Sequence, residues 1–255
     1  MLSADVEPSE RPGRDDPRRG LIRSYLLMRA VVGALGILIP VVLVVGDIVF
    51  LEARMTARGS LSAYYHSGMR DVFVAGLAVV GVFLLTYKIF ERNLDNTLSL
   101  VAGVTALGVA FFPTGIPDDI DSPLTPLQER LGEDLVKTVH YLSAAVFIIS
   151  LAVISYWFAQ RESRRGRLRD GRSSRRSPEF WRRFHLLMSG LIVGSILFIV
   201  GTQFFEVLDD NSLLLGESLA VLAFGASWLA KGLELDFLLD RTPVPTPTID
   251  PPSAL

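Results

Sequence analysis

The stretch Leu26–Phe50, LLMRAVVGALGILIPVVLVVGDIVF, decides the fold. A hydrocarbon layer about 30 Å thick takes roughly 20 apolar residues in a helix to cross, and this block is long enough. Its apolar residues run on without alternation, which suits a helix and not a strand of a membrane barrel. Outward from it, five more such blocks follow, at about 72–90, 98–112, 136–159, 186–205 and 213–233. The reading is all-α: a six-helix transmembrane bundle within residues 25–235, a polar tail before it (1–24) and a Pro-rich tail after it (236–255). The first tail has no apolar core and is not a signal peptide. The second has the composition of extended or disordered chain.

Composition agrees. Half of the 255 residues are hydrophobic and the mean hydropathy is +0.40. Lys and Arg number 25 against 27 Asp and Glu, so the basic footprint of a nucleic-acid binder is missing. There is no cysteine, which removes disulfides, thiolate metal sites, iron–sulfur clusters and Cys nucleophiles together. Of the Lys and Arg residues, 20 fall in one alternating set of inter-block segments and 5 in the other. The positive-inside rule then places both termini, the second loop and the Arg161–Arg183 loop in the cytoplasm, in a multi-pass protein of the cytoplasmic membrane. That Arg/Ser/Gly-rich loop has the composition of a disordered segment, and its expected partners are anionic membrane lipids rather than nucleic acid.

Small residues mark close helix contacts. Gly33, Gly36 and Pro40 imply a tight approach and a kink in the first span, and Gly76, Gly81, Gly103 and Gly108 mark packing in the second and third. Gly190 and Gly194 form a GxxxG pair in the fifth span, where packing within the bundle is the plain reading and a homodimer the second. Trp157, Trp181 and Trp228 read as interfacial anchors, Lys231 as a snorkelling partner of Trp228, and His185 as interfacial.

On this topology the unusual polar residues gather outside. Asp47 lies near the outer end of the first span. The loop SLSAYYHSGMRD (60–71) brings Ser62, Tyr65, His66, Arg70 and Asp71. The third span ends in FFPTG (111–115), followed by Asp118, Asp119 and Asp121. Thr125-Pro126 is a helix start, with threonine as cap and proline in the first turn. The helix it opens enters the bilayer at His140, with Ser143 almost a turn further on. Glu206, Asp209 and Asp210 fall in the last outer loop, and Glu217 just inside the sixth span. An ionisable group in hydrocarbon costs on the order of 2.5–3.5 kcal/mol on the mildest scale. Such groups therefore face the interior, and an outward-facing polar cavity that binds a ligand or ion follows. Plainer roles exist beside this one. Asp71 suits a helix N-terminus, and the loop acids suit solvent.

Three chemistries fit the cluster. His66, Asp71, His140 and Glu217 are enough for a zinc site with an open position, which would make a hydrolytic water. Ser60, Ser62 or Ser143 with His66 or His140 would suit nucleophilic catalysis, although no GxSxG elbow is present. A proton relay through Asp47, His140 and Glu217 needs no metal and suits ion-coupled transport. A fourth role is non-catalytic, with the cluster only holding the outer loops of an assembly or sensor protein together.

The stretch SLSAYYHSGMRDVFVAGL, then FFPTG, then a histidine opening the fourth span, then GESLAVLAFGASWLAKG, resembles a group of prokaryotic six-span integral membrane proteins. That resemblance covers about residues 25–235 and implies a six-helix bundle without assigning an activity. The spacing from Ser62 to His66 at an interface also resembles the CREST superfamily of alkaline ceramidases and adiponectin-receptor-like proteins. This second resemblance implies zinc-dependent hydrolysis of lipid amides, with Asp71 in the place of that family's aspartate. The superfamily has one span more and a later HxxxH pair, whereas here Ala144 stands four residues after His140.

Overall fold

The computed structural model describes residues 17–50, 57–86, 94–117, 122–168, 177–205, 207 and 211–233. Every regular element among them is helical: α1 (Pro17–Phe50), α2 (Arg70–Thr86), α3 (Leu94–Phe111), α4 (Pro126–Leu131), α5 (Glu133–Leu168), α6 (Pro178–Phe205) and α7 (Ser212–Gly232), with a short 3-10 turn at Ser62–His66. Four segments are long and apolar enough to cross a membrane: Leu26–Val49, Glu133–Ser163, Pro178–Phe205 and Ser212–Gly232. The other two expected spans are shorter. α2 has 17 residues and α3 is apolar over Asn96–Phe111, so at 1.5 Å per residue each apolar stretch is about 25 Å long.

Helix ends depart from the expected blocks where charged residues can continue a helix into water. α5 continues to Leu168 and α6 starts at Pro178, so both edges of the Arg161–Arg183 segment, expected to be disordered, are helical. Thr125 does cap a helix: its hydroxyl accepts from the Gln128 N–H while the Gln128 side chain accepts from the Thr125 N–H, a reciprocal capping box. That helix does not run on to His140. Gly132, with φ +88°, ends α4, and α5 begins at the next residue.

The six long helices close into a ring. α1 packs beside α2, α2 beside α3, α3 beside α5, α5 beside α6, α6 beside α7 and α7 back against α1, with the α1–α2 seam the thinnest. Consecutive long helices run antiparallel, so the loop before α2 closes one end of the ring, the capped end. The Arg-rich segment lies at the other, the basic end. The interior is an apolar layer built from Val32, Leu84, Ala102, Ala106, Leu151, Ile192, Ala220 and Phe224.

The outside is apolar too. Phe204 is 78% exposed, Leu197 66% and Leu142 64%. Water rarely faces such a continuous apolar surface, and hydrocarbon does. With lipid outside, helices are held by close packing rather than by burial from water. The α1–α7 seam shows this. A Cβ on Gly225 would stand 2.8 Å from Ile37 N and 2.9 Å from the Gly33 carbonyl, so the two backbones touch. α2 and α3 meet in the same way at Gly81 and Gly103. Gly190 and Gly194 are different: a Cβ on either meets nothing, so the GxxxG pair faces outward and does not serve packing within this chain.

Candidate functional site

Between α1 and α2 the chain folds back into the capped end, and every residue of the Ser62–His66 turn is buried. Polar ties to three other elements hold it there. Asp47, near the end of α1 and 1% exposed, accepts from Arg58 Nε at 2.9 Å and Nη2 at 3.3 Å. The Arg58 guanidinium also lies 5.9 Å from the centre of the Tyr64 ring, and the Tyr64 hydroxyl accepts the Arg58 backbone N–H at 3.5 Å. Glu217 of α7 accepts the Leu61 N–H at 2.7 Å. Its carboxylate thus serves an otherwise unpaired donor at the start of the turn. The Gly59 carbonyl accepts the Leu214 N–H at 2.8 Å in the first turn of α7. His66 donates from Nε2 to the Thr114 carbonyl, just past α3, at 2.9 Å.

The second histidine grips the same segment two residues earlier. His140 Nδ1 donates to the Phe112 carbonyl at 2.7 Å. A carbonyl only accepts, so each ring carries a proton on the nitrogen that faces it. In a neutral ring the other nitrogen is then a bare acceptor. For His140 that nitrogen, Nε2, is buried with no hydrogen-bond partner, and the residue is 0% exposed. Burial holds the His66 imidazole below its usual range, with Arg70 and Arg58 adding to the effect and the Thr114 carbonyl and Glu133 opposing it. Burial likewise raises the Tyr64 hydroxyl.

The remaining expected site residues are placed as follows. Tyr65 is buried, and its hydroxyl accepts from Arg70 Nη2 at 3.0 Å, with the guanidinium 4.6 Å over the ring. Ser62 is buried in the turn. Ser143 packs where a Cβ on Gly108 of α3 would stand. Asp71 is exposed at the start of α2. Asp118, Asp119, Asp121, Glu206, Asp209 and Asp210 lie outside the described residues. Among the described residues no three His, Asp or Glu side chains come together so as to hold a metal ion. His66 and His140 meet at one backbone segment, while Glu217 is turned to the loop.

The basic end holds a polar cluster that sequence reasoning placed at the interface. His185, Trp228 and Lys231 are 1%, 1% and 3% exposed. The reason is helical phase. α6 starts at Pro178, so His185 falls two turns into the helix on its buried face with Met188, Ser189 and Ile192. His185 Nδ1 lies 2.9 Å from Ser227 Oγ, Lys231 pairs with Glu162 of α5, and the Arg29 guanidinium sits 5.2 Å from the Phe158 ring centre and 5.8 Å from that of Trp228.

Arg58, Arg29 and Glu162 were missed by sequence reasoning. A search for the cation that neutralises Asp47 would have pointed to the loop arginines, because a buried carboxylate requires one nearby. Glu162 lies within the Arg-rich 161–183 segment and Arg29 near the start of the first apolar block, and only the helix phase shows that they face inward. Comparisons with protein-family models, with curated proteins and with solved structures found no match.

Proposed function

We propose that the chain is a six-span protein of the cytoplasmic membrane, with both termini inside, that binds a small ligand or ion at its outer end against His140. The carrying observation is the His140 Nε2 atom, an acceptor wholly buried without a partner. An unmade bond of this kind costs on the order of 1–3 kcal/mol, and a group from outside the chain would repay it. A nitrogen lone pair takes a hydrogen-bond donor or a cation, so the ammonium or hydroxyl of a lipid headgroup suits that depth. Topology rests on the 20-to-5 division of Lys and Arg, and the outer end is then the capped one.

The test is thermal unfolding of the purified protein with zinc ion, ethanolamine or phosphoethanolamine, together with elemental analysis. A stabilising shift in the wild type that disappears in His140→Ala supports binding. No shift with any probe and no bound metal overturns it. Zinc-dependent hydrolysis of a lipid amide or ester needs a third protein ligand beside the histidines, and such a reading predicts about one zinc per chain.

A second reading, ion-coupled transport of a small solute, is favoured by buried charge at both ends of one interior with an apolar layer between. Proteoliposome flux that Asp47→Asn and Glu217→Gln leave unchanged counts against it. A non-catalytic assembly or sensor role is supported by the ties of Asp47, Glu217 and His66, which all serve the loop. The outward-facing Gly190 and Gly194 suit a homodimer.

A further inference from the structure

α1, like α5 and α7, contributes side chains to the polar groups at both ends of the ring, and it alone of the three carries a proline between them. Arg29 and Asp47 are eighteen residues apart. At 3.6 residues per turn that is five whole turns, so both lie on one face, about 27 Å apart. Between them stands Pro40, which has no N–H to give the Gly36 carbonyl and whose ring crowds that carbonyl. The continuous hydrogen-bond ladder that stiffens a helix is therefore interrupted near the midpoint between the two charged residues.

The neighbour at that level is a backbone. A Cβ on Gly36 would lie 2.9 Å from Gly225 Cα of α7, so α7 supports α1 from one side just where the ladder is broken. On the other side the contact with α2 is the thinnest in the ring. There Ile39 reaches into the space a Cβ on Gly76 would take. The two charged residues are held by elements other than α2: Asp47 by Arg58 of the loop, and Arg29 by the rings of Phe158 on α5 and Trp228 on α7. A buried ion pair adds little net stability over an apolar pair of the same shape, and its better-attested use is to hold one arrangement against another.

We propose that α1 bends at Gly36–Pro40 and opens the ring along the α1–α2 seam one end at a time, with Asp47–Arg58 latching the capped end and Arg29 between Phe158 and Trp228 latching the basic end. The device does not depend on the ligand reading. It gives the interior two entrances that a single helix controls.

The chain has no cysteine, so introduced cysteines carry spin labels without background. One pair, Val49 and Val72, reports the seam at the capped end, and a second, Ser24 and Thr86, reports it at the basic end. All four side chains are exposed. Distances are read by pulsed electron double resonance in lipid nanodiscs. Arg58→Gln is expected to add a longer distance at 49/72 and to leave 24/86 as in the wild type. Arg29→Gln is expected to do the reverse. Adding Pro40→Ala, which restores the ladder, returns each to its wild-type distance. The proposal is overturned if the latch variants keep one unchanged distance, if both ends lengthen together, or if the longer distance survives Pro40→Ala. Should Arg58→Gln fail to fold, Arg58→Lys keeps the charge without the two-pronged contact and is read by the same criteria.

Discussion

Removing Arg58 alone leaves the Asp47 carboxylate buried without a cation. Arg58→Met is expected to lower the unfolding free energy by about 3–5 kcal/mol, and Asp47→Leu with Arg58→Met to recover most of it. A double-mutant cycle by reversible unfolding in detergent checks both values. His66 gives a pH signature. Its folded-state pKa is held down by burial, so the unfolded chain takes up the proton first as pH falls. Stability is retained above about pH 6.5, the unperturbed value, and declines as pH drops through it. In His66→Gln, whose amide N–H can still serve the Thr114 carbonyl, the decline in melting temperature between neutral and mildly acid pH should be smaller. A slope unchanged by this substitution would show that another group titrates. At this scale the sequence was half legible. Asp47, His140 and Glu217 stood out because each interrupts an apolar run. Their partners did not stand out, because Arg58, the Phe112 carbonyl and the Leu61 N–H belong to loops whose paths no periodicity encodes.

The same glycine residue type does opposite things in different helices. Gly33 of α1 is pressed against the Leu229 backbone of α7, whereas Gly194 of α6 faces open space. Gly33→Val should therefore cost about 1–3 kcal/mol or more through overpacking, and Gly194→Val nearly nothing in the monomer. Melting curves of the two variants side by side test this. Cross-linking of the wild type that is lost in Gly194→Val would show that the open face holds a second copy. Helix existence was well legible, since each apolar block became a helix. Helix limits were less so. The Arg-rich flanks of α5 and α6 continue the helices into polar sequence, and Gly132 divides what Thr125-Pro126 starts. Hydropathy marks where hydrocarbon would begin and end, while hydrogen bonding decides where a helix does. The inward phase of His185 and Lys231 was lost for the same reason.

Across the whole molecule, the proposed topology makes a direct prediction. Reporter fusions at residue 172 and after residue 233 should read cytoplasmic, and one at Ser60 should read external. Labelling of single cysteines at those positions with an impermeant reagent gives an independent check, and a reversed pattern would invert the assignment of outer and inner ends. The ring order itself was not legible, because nothing in the apolar blocks tells α1 that its main neighbour is α7. That neighbour is made last. At about 5–20 residues per second of synthesis, α1 waits on the order of 8–30 s after its own completion before Ser212 emerges. The Leu61 N–H meets Glu217 across 156 positions of sequence, so the cap is unfinished for the same interval. Until then the first helix stands in the bilayer with Arg29 lacking the ring of Trp228 and with the loop that carries Arg58 lacking its hold on α7. A chain stalled before α7 is thus an open arc, with the Gly33–Gly36 face of α1 left uncovered until synthesis resumes.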